Sequence, residues 1–510
     1  MDATRTLPLM EDLRRSYDEV PYPDLPKPYT HVARIAAIAY VHGLSPASPA
    51  KCRVLELGCA DGGNLLPMAW QFPQSWFVGI DFSSVQIEIG RKRISDLSLV
   101  NLKLQRASIL DLRAGDLGRF DYIIVHGVYS WVSAEVQRKI LAICRDHLSE
   151  TGLAYISYNT YPGWHGKQAI REILRYHTRQ IEDTQQKVAA AMALIATLPD
   201  SKELPGDPGA LLVQRLKKDL KKMDDPKPYL VHEYLIDGNE PQYFCEFLRH
   251  AEGFSLRYVD DAFPGSAALE RLPPKAQEWV GKTFRDHTEQ QQYIDFFCNI
   301  SFRRSLLCRH DMQPDNDVGF QRLRPLYATA TCKRAKPKKD QSYFITHAGR
   351  RIYTEHAGLR RILDHLVDAH PVSLSVSQLR MLLGSQVTDT KAGAMFDNLL
   401  RSEVLEFATH PRDCTRDIEE RPYASRLVRF QCEDGLVTNA AHRPVRLENI
   451  FERHLLGLLD GTRTVAELIA LMRKRLRPGQ PVDDDQWETL VHEHLTRLAQ
   501  LGLLKDREKS

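Results

Sequence analysis

The spacing of hydrophobic positions changes several times along the chain, and each change marks a part of it. Ile35, Ile38 and Ala39 share one face of a predicted helix over residues 30–42, with Gly43 as its C-terminal stop. Short apolar runs then alternate with helical periodicity. The runs Arg53–Leu57, Trp76–Asp81, 102–107, Phe120–Val125 and 152–158 predict five strands. Residues 64–72, the stretch from Ser83 or Ser84 to Leu97, and 133–148 predict the helices between them. The last places Val136, Ile140, Ile143 and Cys144 on one face. Strands alternating with helices predict a parallel sheet covered on both sides.

Helical spacing continues over 166–198 and breaks at Pro205-Gly206-Asp207-Pro208-Gly209. An amphipathic stretch over 211–223 carries Lys217, Lys218, Lys221 and Lys222, read as a solvated helix face. A helix and then a strand at 254–259 follow, with a further strand at 302–308. The Rossmann-like core is therefore expected to close near residue 310, around a helical insertion at 160–230. Lys333-Arg334-Ala335-Lys336-Pro337-Lys338-Lys339 reads as a basic linker. Beyond it one pattern occurs twice: three helices and then a short strand. Ser375-Val376-Ser377-Gln378 and Thr464-Val465-Ala466-Glu467 match a capping box. The expected division is an N-terminal arm and helix (1–43), a ligand-binding core (44–165) and a helical region completing the sheet (166–310). Two winged-helix-like modules follow, at 340–410 and 430–508. The fold class is α/β with mostly helical C-terminal modules.

Composition narrows the function only a little. With 69 basic and 66 acidic residues the net charge is +3, which gives no general pull toward nucleic acid or an anionic membrane. No apolar run reaches the roughly 20 residues of a bilayer span. The first ten residues lack the apolar centre of a signal peptide, so a cytoplasmic protein is expected. The nine cysteines form no Cys-x-x-Cys pair, which fits free thiols better than disulfides or zinc. No metal site is expected. The arm holds Tyr17, Pro21, Tyr22, Pro23, Pro26 and Pro28 and is too proline-rich for a helix. Tyr17 and Tyr22 either fold over a ligand or simply anchor the arm.

The chemistry is carried by Glu56-Leu57-Gly58-Cys59-Ala60-Asp61-Gly62-Gly63-Asn64, where the first strand meets its helix. Glycines allow close backbone approach, and ligands of open α/β sheets lie at this edge. Asp81 ends the second strand, 18 residues past Gly63, about where dinucleotide folds place a ribose-binding acid. Gly58-x-Ala60-x-x-Gly63 also approaches a dinucleotide fingerprint, so a pyrophosphate ligand has to be weighed. Glu56 and Asp61 would repel one. They suit the ammonium and sulfonium of S-adenosylmethionine, and no second glycine-rich half follows.

Val54-Leu55-Glu56-Leu57-Gly58-Cys59 with Gly79-Ile80-Asp81 resembles the first motifs of class I methyltransferases. Cys59 stands where many members have glycine, and Ser108-Ile109 where many have an acidic residue and its neighbour for the adenine. A narrower resemblance rests on Ser16-Tyr17-Asp18-Glu19-Val20-Pro21-Tyr22-Pro23, on His126-Gly127-Val128-Tyr129-Ser130-Trp131-Val132 and on Tyr158-Asn159-Thr160-Tyr161-Pro162-Gly163-Trp164-His165. With His232-Glu233-Tyr234-Leu235 these look like bacterial methyltransferases carrying a methyltransferase regulatory domain, among them rickettsial-type protein lysine methyltransferases. The resemblance implies a cofactor set that adds Tyr17, Cys59, Gly62, Gly63, Asn64, Phe82, Gly127 and Val128 to Glu56, Gly58, Asp61 and Asp81. Ser108 and Ile109 would flank adenine, and His126 would wall the pocket.

Transfer from a sulfonium needs neither metal nor enzyme nucleophile, only alignment and a neutral acceptor. A lysine amine starts at about 10.4 and has to lose its proton, which an aromatic pocket promotes. Tyr129, Trp131, Tyr158 and Glu233 are the candidate catalytic residues. The alternative for the rings is core packing, and for Glu233 a surface or capping role. The expected function is methylation of protein lysines, with a homodimer compatible. Two rivals remain at this point: a small-molecule methyltransferase, and a DNA-binding regulator using its winged helices. The acidic start of the helix at 484–500 counts against nucleic acid.

Overall fold

The computed structural model describes residues 25–113, 115, 117–335, 343–347, 349–475 and 484–507. Tyr17 and Tyr22 lie outside the described residues, as does most of the basic linker. The five expected strands form: β1 (Arg53–Leu57), β2 (Trp76–Asp81), β3 (Leu102–Arg106), β4 (Phe120–Val125) and β5 (Leu148–Asn159). Two more, β6 (Leu256–Asp261) and β7 (Phe302–Arg309), complete a seven-stranded sheet in the order 3-2-1-4-5-7-6. All neighbours pair in parallel except β7, which runs antiparallel to both β5 and β6.

Side-chain alternation makes the sheet two-faced. Val54, Phe77, Leu104 and Tyr122 pack toward α1 (Val32–Val41) and α2 (Leu65–Gln71). Leu55, Ile80, Ile123 and Ile156 pack on the other side, together with residues of a helix over Ala134–His147 and one over Phe244–Glu252. Helix α3 (Ser84–Leu97) starts at Ser83, whose hydroxyl accepts from the Gln86 N–H at 3.3 Å. Helix α1 is buried on almost every side because a second partner covers its outer face. Ala37 and Val41 join the core of the first C-terminal module.

The expected helix over 166–198 is two, Trp164–Thr178 and Thr184–Thr197. No glycine or proline marks the break. Asp183 makes it by accepting from the Gln186 N–H at 2.8 Å. A helix over Pro208–Leu220 follows. Helices Pro274–Thr283 and His287–Cys298, between β6 and β7, were not foreseen in the sequence.

The first C-terminal module has a sheet ordered Leu374–Ser375, Tyr327–Ala330, Leu405–Ala408, with helices Ala357–Ala369, Val376–Met381 and Asp389–Arg401. Its middle strand lies upstream of residue 340, and Cys332–Arg334, overlapping the start of the expected linker, pairs with Phe344–Thr346. The second module packs helices Ile450–Gly457, Val465–Arg475 and Asp484–Gln500 behind a hairpin of Leu436–Thr438 and Pro444–Arg446. Thr464 and Glu467 form the expected capping box, with bonds of 3.3 and 2.7 Å, whereas Ser375 makes no side-chain cap. Among the described residues no helix is long and apolar enough to cross a membrane.

Candidate functional site

Every parallel strand in the sheet's centre delivers residues to one cavity of about 270 Å³, at the sheet's carboxyl edge. Glu56 and Gly58 come from the end of β1, Asp81 and Phe82 from β2, and Ser108 and Ile109 from just past β3. His126, Gly127, Val128 and Trp131 follow β4, Asn159 ends β5, and Phe302 opens the reversed β7. His232 and Glu233 arrive from the π-helical turn Val231–Leu235.

Gly58 has φ +76°, and a Cβ there would stand 2.4 Å from Val128 Cγ2, so this point of the loop tolerates no side chain. Two residues on, Ala60 is held at φ +44° while its N–H donates to Asp81 Oδ2 at 2.9 Å. Asp81 Oδ1 accepts from the Ser83 N–H, also at 2.9 Å. The carboxylate at the end of β2 is thus fixed against the cavity by two backbone donors.

The other loop residues have different employment. Asp61 faces Arg93, with Nη1 2.6 Å from its Oδ2, and also accepts from the Gly63 N–H at 3.1 Å. Burial pushes its pKa up and Arg93 opposes that. It does not line the cavity, and neither do Cys59, Gly62, Gly63 and Asn64. The Cys59 thiol belongs to the hydrophobic core, packed so closely on β2 that a Cβ at Gly79 would come within 2.7 Å of its sulfur. Asn64 is buried behind the loop, and its Nδ2 donates to Glu56 Oε1 at 2.8 Å.

His126 stacks edge-on to Phe302, and its Nδ1 meets the Tyr155 hydroxyl at 2.9 Å. Burial pushes its pKa down to about 3, with Lys27 and Arg304 acting in the same direction, so the imidazole is neutral near pH 7. Trp131 packs edge-on to Trp164, which stands behind it and outside the cavity lining. Burial raises the pKa of Glu233 against the opposing charges of Lys167 and Arg171.

The structure moves Tyr129 and Tyr158 out of the pocket and into the core. Tyr129 is fully buried and its hydroxyl pairs with His250 Nδ1 at 2.6 Å. Tyr158 stacks on Phe247 at 4.0 Å and bonds Ser305 Oγ at 3.0 Å. Both sit against the Phe244–Glu252 helix, which position relative to β4 and β5 alone does not predict. Lys27, Gln86, Asn159, His232 and Phe302 line the cavity without having been singled out in the sequence. Asn159 and His232 stood in quoted motifs, but Lys27 and Phe302 carry no local signal.

A glycine loop after β1, an acid closing β2 and a sheet reversed at β7 define a class I methyltransferase. Comparisons with known proteins agree. A methyltransferase domain model matches residues 55–154, a predicted methyltransferase regulatory domain model 226–309, and a PKMT C-terminal winged helix domain model 420–501. Rickettsia prowazekii protein RP789 is 30% identical over 483 residues, 91% of this chain and 86% of that one. A second protein of that organism, RP028, is 40% identical over 237 residues, covering 46% of this chain and 94% of its own. The structure of PKMT2 from Rickettsia typhi superimposes with a TM-score of 0.81 at 27% identity, covering 95% of this chain and all of that one. Its complex with AdoHcy gives 0.80. The chain belongs to this family of methyltransferases, with a regulatory domain and a C-terminal winged helix domain, and is an S-adenosylmethionine-dependent enzyme. Among the described residues no group of three or more His, Cys, Asp or Glu could hold a metal ion.

Proposed function

We propose that the enzyme methylates lysine side chains of a protein substrate. The observation that carries this reading is the wall formed by Trp131, Asn159, His232 and Glu233. It places an indole ring and a half-buried carboxylate in the same cavity as the cofactor loop. An aromatic face and a carboxylate together suit an incoming ammonium. The full-length likeness to PKMT2 supports the same class of acceptor.

The residues present fit the cofactor. Asp81 takes the ribose hydroxyls, and Ser108 and Ile109 flank the adenine. Glu56 receives the ammonium of the amino-acid end, and Lys27, on the same cavity, suits its carboxylate. Asp61, engaged with Arg93, braces the loop instead. When bound, the cofactor supplies a methyl group already activated on a sulfonium.

Glu233 orients the substrate ammonium, and burial beside Trp131 favours its neutral form once the proton has passed to water. The neutral lysine nitrogen, held there by Glu233 and Trp131, would be able to accept the methyl group that the bound cofactor would supply, with S-adenosylhomocysteine as the leaving product. His126, neutral, contributes shape and excludes water. The test is transfer of label from methyl-tritiated cofactor into an extract, separated into protein and small-molecule fractions. Label in protein, recovered as methyl-lysine after hydrolysis, is expected. Label confined to the small-molecule fraction would overturn the reading.

A further inference from the structure

The carboxamide of Asn64 joins three distant parts of the chain. Its Oδ1 accepts from the Lys27 N–H at 2.9 Å and His442 Nε2 at 2.9 Å, and lies 3.0 Å from the Thr30 hydroxyl, whose one proton is shared with the Lys27 carbonyl at 2.9 Å. Its Nδ2 donates to Glu56 Oε1 at 2.8 Å. The orientation of the amide follows from the partners. A backbone N–H only donates, so oxygen must face Lys27, and nitrogen then faces the carboxylate. The same argument fixes His442, whose Nε2 must carry a proton to donate to that oxygen. Burial holds its imidazole neutral, with His31 and Lys27 acting in the same direction.

His442 occupies the turn of the hairpin in the C-terminal module, in a left-handed conformation at φ +54°. Only 4% of it is exposed. Here the module reaches into the core behind the glycine loop, and a second bond, Arg426 to the Asp96 carbonyl at 2.8 Å, ties it to the end of α3. The hairpin turn is therefore engaged within the molecule.

We propose that Asn64 is a positioning residue for the amino-acid end of the cofactor, and that His442, delivered by the C-terminal module, locks Asn64 in the rotamer that orients Glu56. The proposal goes beyond the choice of acceptor and rests only on Glu56 receiving the cofactor's ammonium. Glu56 is a short strand's last-but-one residue, and its carboxylate can rotate unless a fixed donor holds one oxygen. Asn64 is such a donor, and it is itself held by the Lys27 N–H and by His442. Removing the His442 donor releases one of the two and lets the amide, and with it the carboxylate, sample other directions.

The experiment compares two ligands on the full chain by titration calorimetry. S-adenosylhomocysteine carries the amino-acid end, and 5′-methylthioadenosine keeps the nucleoside without it. His442→Leu and Asn64→Leu are each expected to weaken S-adenosylhomocysteine about five- to tenfold, as for loss of one ordinary hydrogen bond. Both should leave methylthioadenosine within about twofold. His442→Gln, whose amide nitrogen can replace Nε2, should restore nearly the original affinity. The double variant should bind no more weakly than Asn64→Leu alone. Asn64→Asp, which leaves the hairpin sequence untouched, should show the same selective loss should His442→Leu fail to fold. Equal weakening of both ligands would mean general damage to the fold and would overturn the proposal, as would unchanged S-adenosylhomocysteine binding. Glu56→Gln separates the two layers of argument. If it weakens S-adenosylhomocysteine while His442→Leu does not, the brace alone is wrong. If it changes nothing, the place assigned to the cofactor's ammonium falls, and the brace with it.

Discussion

Asp81 is oriented by the N–H groups of Ala60 and Ser83, one on each oxygen. An acid so held presents a fixed edge to a diol and loses little freedom when it binds. Asp81→Ala should therefore cost about a hundredfold or more in affinity for S-adenosylhomocysteine with a near-native circular dichroism spectrum. Tight binding by that variant would contradict the site drawn here. Gly58 makes a steric prediction. Gly58→Ala should weaken cofactor binding and cost about 1–2 kcal/mol of stability, because the new methyl meets Val128 at a left-handed backbone. Adding Val128→Ala should recover the steric part, measured by denaturant unfolding. His126 gives a pH dependence. Its folded pKa, about 3, lies below the ordinary value of 6.5, so the unfolded chain binds the extra proton. Its contribution is complete above pH 6.5 and is lost as pH falls toward 3. Relative to a His126→Gln variant, the wild-type chain should lose about 1 kcal/mol per pH unit between pH 5.5 and 4. A difference that stays flat across that window would show an imidazole already charged in the fold.

At the scale of elements, strand periodicity was the strongest signal in the chain. β1 to β4 appear where the short apolar runs place them, and β5 begins earlier than its run, at Leu148, because a central parallel strand is buried on both faces and its sequence shows it. What stayed hidden was the partner of each side chain. Tyr129 and Tyr158 follow strands that feed the cavity, yet their rings lie under the Phe244–Glu252 helix, more than eighty residues downstream. No local pattern reports such a docking. Lys27 reaches the cavity from an irregular segment, and Phe302 from a strand that runs backwards. The break before Thr184 was equally silent, since one capping aspartate made it. These placements have a testable corollary in β5. Tyr158→Phe removes a buried hydroxyl that pairs with Ser305, so it should cost about 1 kcal/mol in stability and leave kcat unchanged. A large fall in kcat at unchanged stability would return Tyr158 to the reacting groups.

For the whole molecule, one knot between its parts is Glu406. It lies on the Leu405–Ala408 strand of the first C-terminal module and meets Arg34 of α1 and Arg412 directly, with Arg443 of the second module 3.7 Å away. The three guanidinium groups overcome its burial and hold its pKa at about 2. Glu406→Gln would leave these arginines without their shared anion and should cost about 3 kcal/mol or more, read as a lower unfolding midpoint. The modules and the sheet should then unfold in one transition in the wild-type chain. Separate transitions in the variant would show that this knot carries the coupling.

The contact between Asn64 and His442 spans 378 positions. A ribosome adding roughly 5–20 residues per second takes some ~20–75 s to travel that distance. The sheet can close once β7 has been made, well before His442, but the last bond behind its glycine loop cannot form until then. The catalytic half of the enzyme is thus finished late in its own synthesis, and a truncated or stalled chain emerges with its cofactor loop unbraced.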